Sequence, residues 1–303
     1  MASDRARRNW RRALWVTAAF PPLAAVLFAA RGAWKGWEEV HPPRLPVTSL
    51  PGRPELEGFR DVSFRAADGV ALRGWWRPGA GDAAVVFAHG WGANREQMLS
   101  QALPLAARGF GVLVFDLRGH GESGGRASGG DREQSDVAAA TDFVAGEPGV
   151  KWVGAVGFSL GGAAVGLAAA ADRRLRAIAV EGATPSLDDE LEVEYRAGGP
   201  AMVRSVRAVM RLFGVYPRRV RLIDRIGSLA PRPVLLVYGE RDWLTEPEEA
   251  ERIRAAAGPS ATLWAVPGAG HGDFETVVPG ELARRLVSFF EAARASDRRQ
   301  RGD

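Results

Sequence analysis

From about residue 59 onward, short apolar runs alternate with longer stretches whose apolar positions recur every three or four residues. The runs are 83–88 (AAVVFA), 111–115 (GVLVF), 152–158 (WVGAVGF), 177–181 (AIAVE), 233–238 (PVLLVY) and 262–266 (TLWAV). Between them, 95–108, 131–146, 160–172 and 247–257 carry helical spacing. A strand that is apolar on both faces must be covered on both faces, so the pattern predicts an α/β fold with a mostly parallel sheet between two helical layers. A hairpin is expected ahead of it. Val62 and Phe64 alternate with polar residues, a second strand is expected over Val70 to Trp76, and Ala67-Asp68-Gly69 supplies the turn. The last periodic stretch, 279–294, puts Leu282, Leu286, Phe289 and Phe290 on one helix face, and the charged residues 295–303 are expected to be disordered.

One interval breaks the alternation. Between Gly182 and Pro231 the chain is far longer than a simple crossover needs. It reads as a helical cap over the sheet, 183–230, with helices expected at 186–196, 200–213 and near 218–228. The 200–213 segment has an apolar stripe of Met202, Val203, Val206, Val209, Met210 and Phe213, with Arg204, Arg207 and Arg211 off it. Between Arg196 and Arg225 there are eight Arg and one acid, Asp224. This amphipathic lid is expected either to line an acyl pocket and touch anionic lipid head groups, or to pack on the core with its arginines solvated.

The N-terminal region has a different pattern. Ala13 to Ala30 carries no charge, and as a helix it would span roughly 27 Å, enough for a hydrocarbon core. Trp10, Trp15, Trp34 and Trp37 flank it, and Arg5, Arg7, Arg8, Arg11 and Arg12 precede it. The expectation is a basic segment at 1–12, a single transmembrane helix at 13–30, a cytoplasmic N-terminus and an extracytoplasmic main domain. Pro21-Pro22 interrupts that helix, and a cleaved signal peptide is the competing reading. Residues 31–58, with Pro42, Pro43, Pro46, Pro51 and Pro54, are expected to be a Pro-rich linker. The remaining residues, 59–294, form one domain.

Composition narrows the chemistry. At 303 residues, 46% hydrophobic and 25% charged, the chain is long enough for one large globular domain. The absence of Cys excludes disulfides, a thiol nucleophile and Cys-ligated metal. The excess of basic over acidic residues is only four, much of it in the tails, and no nucleic-acid-binding motif accompanies it. No phosphate-binding Gly-rich loop and no metal-ligand spacing is present, so no cofactor and no metal is expected.

Gly157-Phe158-Ser159-Leu160-Gly161 fits G-x-S-x-G, between the apolar strand Trp152 to Gly157 and the small-residue helix Gly161 to Ala171. A strand–turn–helix of this kind exposes a serine hydroxyl on a tight bend, and the flanking glycines remove side chains that would collide there. Ser159 is therefore the candidate nucleophile. It needs a base, which in this architecture follows it in the chain; of His41, His89, His120 and His271, only His271 does so. The orienting acid is expected in the loop after the preceding strand, where Asp242 is preferred, with Glu240 as competitor; Asp273 is expected to be a loop residue. The backbone N–H groups of Leu160 and Trp91 are expected to form an oxyanion hole, with His89 a hydrogen-bonded turn residue or loop orienter.

Five motifs in order, each at a strand end, carry a resemblance. They are His89-Gly90-Trp91, Asp116 to Ser123 (DLRGHGES), Gly157 to Gly161, Gly239 to Asp242, and Gly270-His271. From about 59 to 294 the chain resembles the α/β-hydrolase superfamily, and within it a membrane-attached group labelled serine aminopeptidase-like or acyl hydrolase. The resemblance implies an eight-stranded sheet, the triad Ser159, Asp242 and His271, and a rim shaped by the Asp116 to Ser123 loop. The expected function is that of a serine hydrolase cleaving a carboxylic ester or thioester of a small-molecule or lipid-like acyl substrate. A peptidase on the same triad is the first alternative, for which Asp188, Asp189, Glu190, Glu192 and Glu194 offer amine-binding acids. A non-enzymatic binding protein on the same fold is the second.

Overall fold

The computed structural model describes residues 25–50 and 53–302. Its centre is an eight-stranded sheet in the order β1-β2-β4-β3-β5-β6-β7-β8. The hairpin of β1 (Arg60–Arg65) and β2 (Ala71–Arg77) is antiparallel, and β2 is antiparallel to β4 (Gly111–Phe115). The other strands run parallel: β3 (Ala83–Ala88), β5 (Trp152–Phe158), β6 (Leu175–Glu181), β7 (Val234–Gly239) and β8 (Ala261–Val266). All residues of β3, β4 and β7 are buried, as their unbroken apolar runs require. Helices α2 (Leu99–Ala107) and α9 (Glu281–Arg301), the latter preceded by the single turn α8 (Phe274–Val277), cover one face, and α3 (Glu133–Ala145), α4 (Leu160–Ala171) and α7 (Pro247–Ala257) the other. Two hydrophobic cores result, one on each side of the sheet.

The cap lies between β6 and β7 and contains α5 (Leu187–Glu194) and α6 (Gly199–Leu212). The third expected cap helix, near 218–228, does not form. Pro217–Arg219 and Ile226–Leu229 are short 3-10 turns, and Arg221 between them makes a β-bridge to Ser186. The cap has its own core of Leu187, Leu191, Met202, Val203, Val206 and Met210. The apolar stripe of α6 thus faces inward. Arg204 and Arg211 are exposed as expected, but Arg207 is buried and pairs with Asp188 and Glu192 of α5, at 2.7 and 2.8 Å.

Two expectations about the ends of the chain are corrected. Residues 25–40 are helical, and this helix, α1, packs on α6 where a linker was expected from residue 31. Gly32 and Gly36 make the contact. A Cβ on Gly36 would lie 2.7 Å from the Val206 carbonyl oxygen, and one on Gly32 2.5 Å from Ser205 Cβ. Val40 is buried in the cap core; beside it the Trp37 and His41 rings stack, and His41 meets the Phe213 ring edge-on. Most of the expected transmembrane helix, residues 13–24, lies outside the described residues, and so does the basic segment 1–12. Residues 25–30 run continuously into α1, and among the described residues no helix is long and apolar enough to cross a membrane. At the other end, the expected disordered tail continues α9 as far as Arg301. Ion pairs take the place of apolar burial there: Arg298 reaches Asp82, Arg301 reaches Asp297, and Arg294 just before them also binds Asp82.

Candidate active site

The sharp bend at the end of β5 has a simple cause. Ser159 has φ 51°, and it is the one non-glycine residue among those described with positive φ. Such a conformation is costly for a side-chain-bearing residue and persists only where its surroundings fix it. A Cβ on Gly157 would lie 2.2 Å from the Gly161 carbonyl oxygen, so the bend closes only because position 157 is glycine, and a Cβ on Gly161 would strike the end of β3. The Ser159 N–H donates to the Glu181 carbonyl oxygen at 2.7 Å, tying the bend to the end of β6.

Ser159, His271 and Asp242 come together from three strand ends. Ser159 Oγ lies 3.1 Å from His271 Nε2, and His271 Nδ1 lies 2.9 Å from Asp242 Oδ2. Asp242 is buried, and its other oxygen accepts the N–H groups of Leu244 and Thr245 at 2.9 and 3.0 Å. Those two bonds fix the carboxylate before it meets the imidazole. The His271 loop needs its glycines: a Cβ on Gly272 would fall 2.4 Å from the Phe158 ring, and one on Gly239 2.4 Å from the Ala269 and Gly270 carbonyl oxygens. The rings of Phe158 and Trp243 border His271 on two sides. The competing acids are occupied elsewhere. Glu240 accepts the Gly268 N–H and Asp273 accepts the Gly270 N–H, so both brace the histidine loop rather than the histidine.

The Leu160 N–H opens the first turn of α4, and the Trp91 N–H belongs to the turn after β3; neither meets an internal acceptor among the described residues. Both residues line one cleft with Thr184, Leu187 and Glu190. Gln97 steadies the Trp91 loop by accepting the Gly90 N–H at 2.8 Å. His89 supports the loop without reaching the cleft. It is fully buried, its Nδ1–H donates to the Gly90 carbonyl, and its Nε2 accepts the Leu117 N–H. Burial, with His120 and Arg95 nearby, pushes it down to about 3, so it stays neutral. The Asp116 to Ser123 loop is a buried scaffold: Asp116 accepts the Arg95 and Glu122 N–H groups and pairs with the Arg95 guanidinium at 3.0 Å.

Glu39 is the site residue that sequence reasoning missed. It sits near the end of α1, lines the same cleft, and accepts a hydrogen bond from the Tyr195 hydroxyl. Its carbonyl oxygen accepts the Trp91 indole N–H at 3.2 Å. Burial pushes its carboxyl up to about 7, with the Tyr195 hydroxyl offsetting part of the shift. The available signal was Gly32-x-x-x-Gly36, a spacing that lets two helices approach closely. Glu190 also has a raised carboxyl through burial, partly offset by the Thr184 hydroxyl, which donates to it at 2.9 Å.

A hydroxyl bonded to an imidazole that a buried carboxylate orients can give up its proton as it attacks an electrophilic carbon. Known proteins agree with the architecture. The family model described as alpha/beta hydrolase fold matches residues 83–229. The uncharacterized protein Rv2307c of Mycobacterium tuberculosis is 32% identical over 271 residues, 85% of this chain and 89% of that one. The thiohydrolase aneE of Aspergillus aculeatus is 34% identical over 131 residues, 41% of each chain. Among solved structures, the Pyrococcus furiosus esterase Pf2001 superposes with a TM-score of 0.71 at 26% identity, covering 84% of this chain and 98% of that one. Sheet order, elbow and relatives together place the chain in the α/β-hydrolase superfamily.

Proposed function

We propose that the protein is a serine hydrolase that cleaves a carboxylic ester or thioester through an acyl-enzyme on Ser159. The observation that carries the proposal is the continuous hydrogen-bonded chain from Asp242 through His271 to Ser159. His271 Nε2 takes the hydroxyl proton as Oγ attacks the carbonyl carbon. The resulting oxyanion is held by the Leu160 and Trp91 N–H groups, each such donor contributing on the order of 10²–10³ in rate. Collapse breaks the bond to the leaving alcohol or thiol, which receives the proton from His271. Water then attacks the acyl-enzyme, gives its proton to His271, and releases the acid and free Ser159. An esterase and a thiohydrolase among the similar proteins support this substrate class.

One observation favours a peptidase as the second reading: the carboxyls of Glu39 and Glu190 line the cleft beside Trp91 and Leu160, where a substrate ammonium group would find them. Esters and thioesters of graded acyl length, assayed beside aminoacyl amides, separate the two. Turnover of esters or thioesters with inert amides is the expected result, and turnover of amides alone would overturn the ester reading. Attachment to a membrane through residues 13–30 belongs to the same proposal, supported by the sequence pattern and by the exposure of Val26 and Leu27 at the described start of α1. Carbonate extraction is expected to leave the protein with the membrane pellet; recovery in the supernatant would count against the anchor.

A further inference from the structure

Under the elbow lies a carboxyl group that the proposed reaction does not use. Glu181 is the last residue of β6 and is fully buried. Its backbone carbonyl holds the Ser159 N–H, and its side chain meets Gln101 of α2, whose Nε2 donates to Glu181 Oε2 at 3.0 Å. The remaining oxygen of each group, Glu181 Oε1 and Gln101 Oε1, is buried without a hydrogen-bond partner. Among the described residues no Arg or Lys pairs with this carboxyl. The neighbouring strands bring Phe158 from β5 and Val237 from β7. The turn before α2 brings Gln97, engaged with Gly90, and Arg95, engaged with Asp116 and Glu122. On the cleft side, next to Glu181 in the chain, Gly182 lies against the ring of His271, which is committed to Ser159 and Asp242.

A carboxylate in such surroundings is expensive, because the group is fully buried and no cationic side chain among the described residues compensates the charge. The neutral acid fits. Its O–H can donate to the Gln101 carbonyl oxygen while the Gln101 amide donates back, a closed pair that removes both unpartnered oxygens. Turning the Gln101 amide over does not rescue the ionised form, since its oxygen would then face a carboxylate oxygen. We propose that Glu181 is held as a neutral carboxylic acid in a doubly hydrogen-bonded pair with Gln101, and that this pair is the positioning element beneath the Ser159 elbow. Burial pushes the Glu181 carboxyl up to about 8, with the Gln101 amide pulling the other way. Above that range the proton leaves to solvent, two acceptors face each other, and the strand end that holds the strained Ser159 N–H shifts. The pairing stands independently of the reaction; its effect on Ser159 rests on the serine chemistry proposed above.

Glu181→Gln in the full chain tests both parts, because an amide–amide pair keeps the geometry and cannot titrate. Infrared difference spectra between wild type and variant at pH 6 are expected to show a protonated-carboxyl band that vanishes as pH rises through about 8. Melting temperature against pH gives a second readout. The folded-state value lies above the ordinary 4.5, so the stabilisation is complete below about 4.5 and is lost as pH climbs toward about 8. Wild type should therefore lose melting temperature relative to Glu181→Gln across that window. With an ester substrate, wild-type kcat should fall on the alkaline side, while the variant stays within about threefold of its neutral value. Should Glu181→Gln fold poorly, Gln101→Met removes the amide donor, and the infrared band should then persist to higher pH. Absence of the band with parallel melting curves would overturn the neutral pair. A band present in wild type with identical alkaline kcat profiles would overturn the positioning role. Failure of both proteins to turn over any ester would strike the proposed reaction and leave the two spectroscopic readouts standing.

Discussion

Gly161 abuts the main chain of Ala88 so closely that a Cβ on it would sit 2.2 Å from the Ala88 carbonyl oxygen. The first turn of α4 is thereby pressed against the end of β3, which carries the Trp91 loop. The two proposed oxyanion donors, Leu160 and Trp91, are registered to each other through this contact rather than through a direct bond. Gly161→Ala is expected to force the two loops apart. A folded variant, verified by circular dichroism, should lose about 100-fold or more in kcat for an ester, with a smaller change in KM.

The acid of the triad can be separated from its competitor. Asp242 is bound to His271, whereas Glu240 holds the Gly268 N–H. Asp242→Asn should keep the fold and lower kcat on the order of 10³–10⁴, because the amide presents a donor where the imidazole N–H needs an acceptor. Glu240→Gln should stay within about threefold of wild type. Steady-state kinetics of the two variants side by side would expose a wrong assignment if Glu240→Gln were the more damaged.

Gly36 reports on the N-terminal helix. A side chain there would meet the Val206 carbonyl oxygen and Val209 Cβ, the latter at 2.8 Å. Gly36→Leu should separate α1 from α6 at a cost of about 1–3 kcal/mol, lower the melting temperature, and open residues 41–50 to limited proteolysis. Since Glu39 and the Trp91 indole meet at this helix end, ester KM should rise as well.

The sheet was legible because burial on both faces leaves no choice of residue type. The apolar runs 83–88, 111–115 and 152–158 coincide with β3, β4 and β5 residue for residue. Ser159, His271 and Asp242 were legible for another reason: each stands in a glycine-marked loop directly after a strand. Elements held by partners distant in sequence were hidden. Residues 31–40 of α1 read as a linker because two of their three buried positions, Gly32 and Gly36, are glycine, which carries no hydrophobic signal, and the tryptophans Trp34 and Trp37 are half exposed. The end of α9 reads as disordered because Asp82, far back in the chain, supplies the partner for Arg298. Arg207 looked solvated because its partners Asp188 and Glu192 belong to another helix. The third cap helix failed because Ser186 engages Arg221 in the middle of the segment.

The proposed reaction stands on Ser159 as its nucleophile. A fluorophosphonate tests it most directly, since attack by an activated serine oxygen expels fluoride and leaves a phosphonylated residue. Wild type should be labelled, with the adduct on Ser159 by peptide mass spectrometry, and Ser159→Ala should take up no label and hydrolyse no ester. An unlabelled wild type, or a Ser159→Ala variant that still turns over ester at the wild-type rate, would rule Ser159 out as the nucleophile.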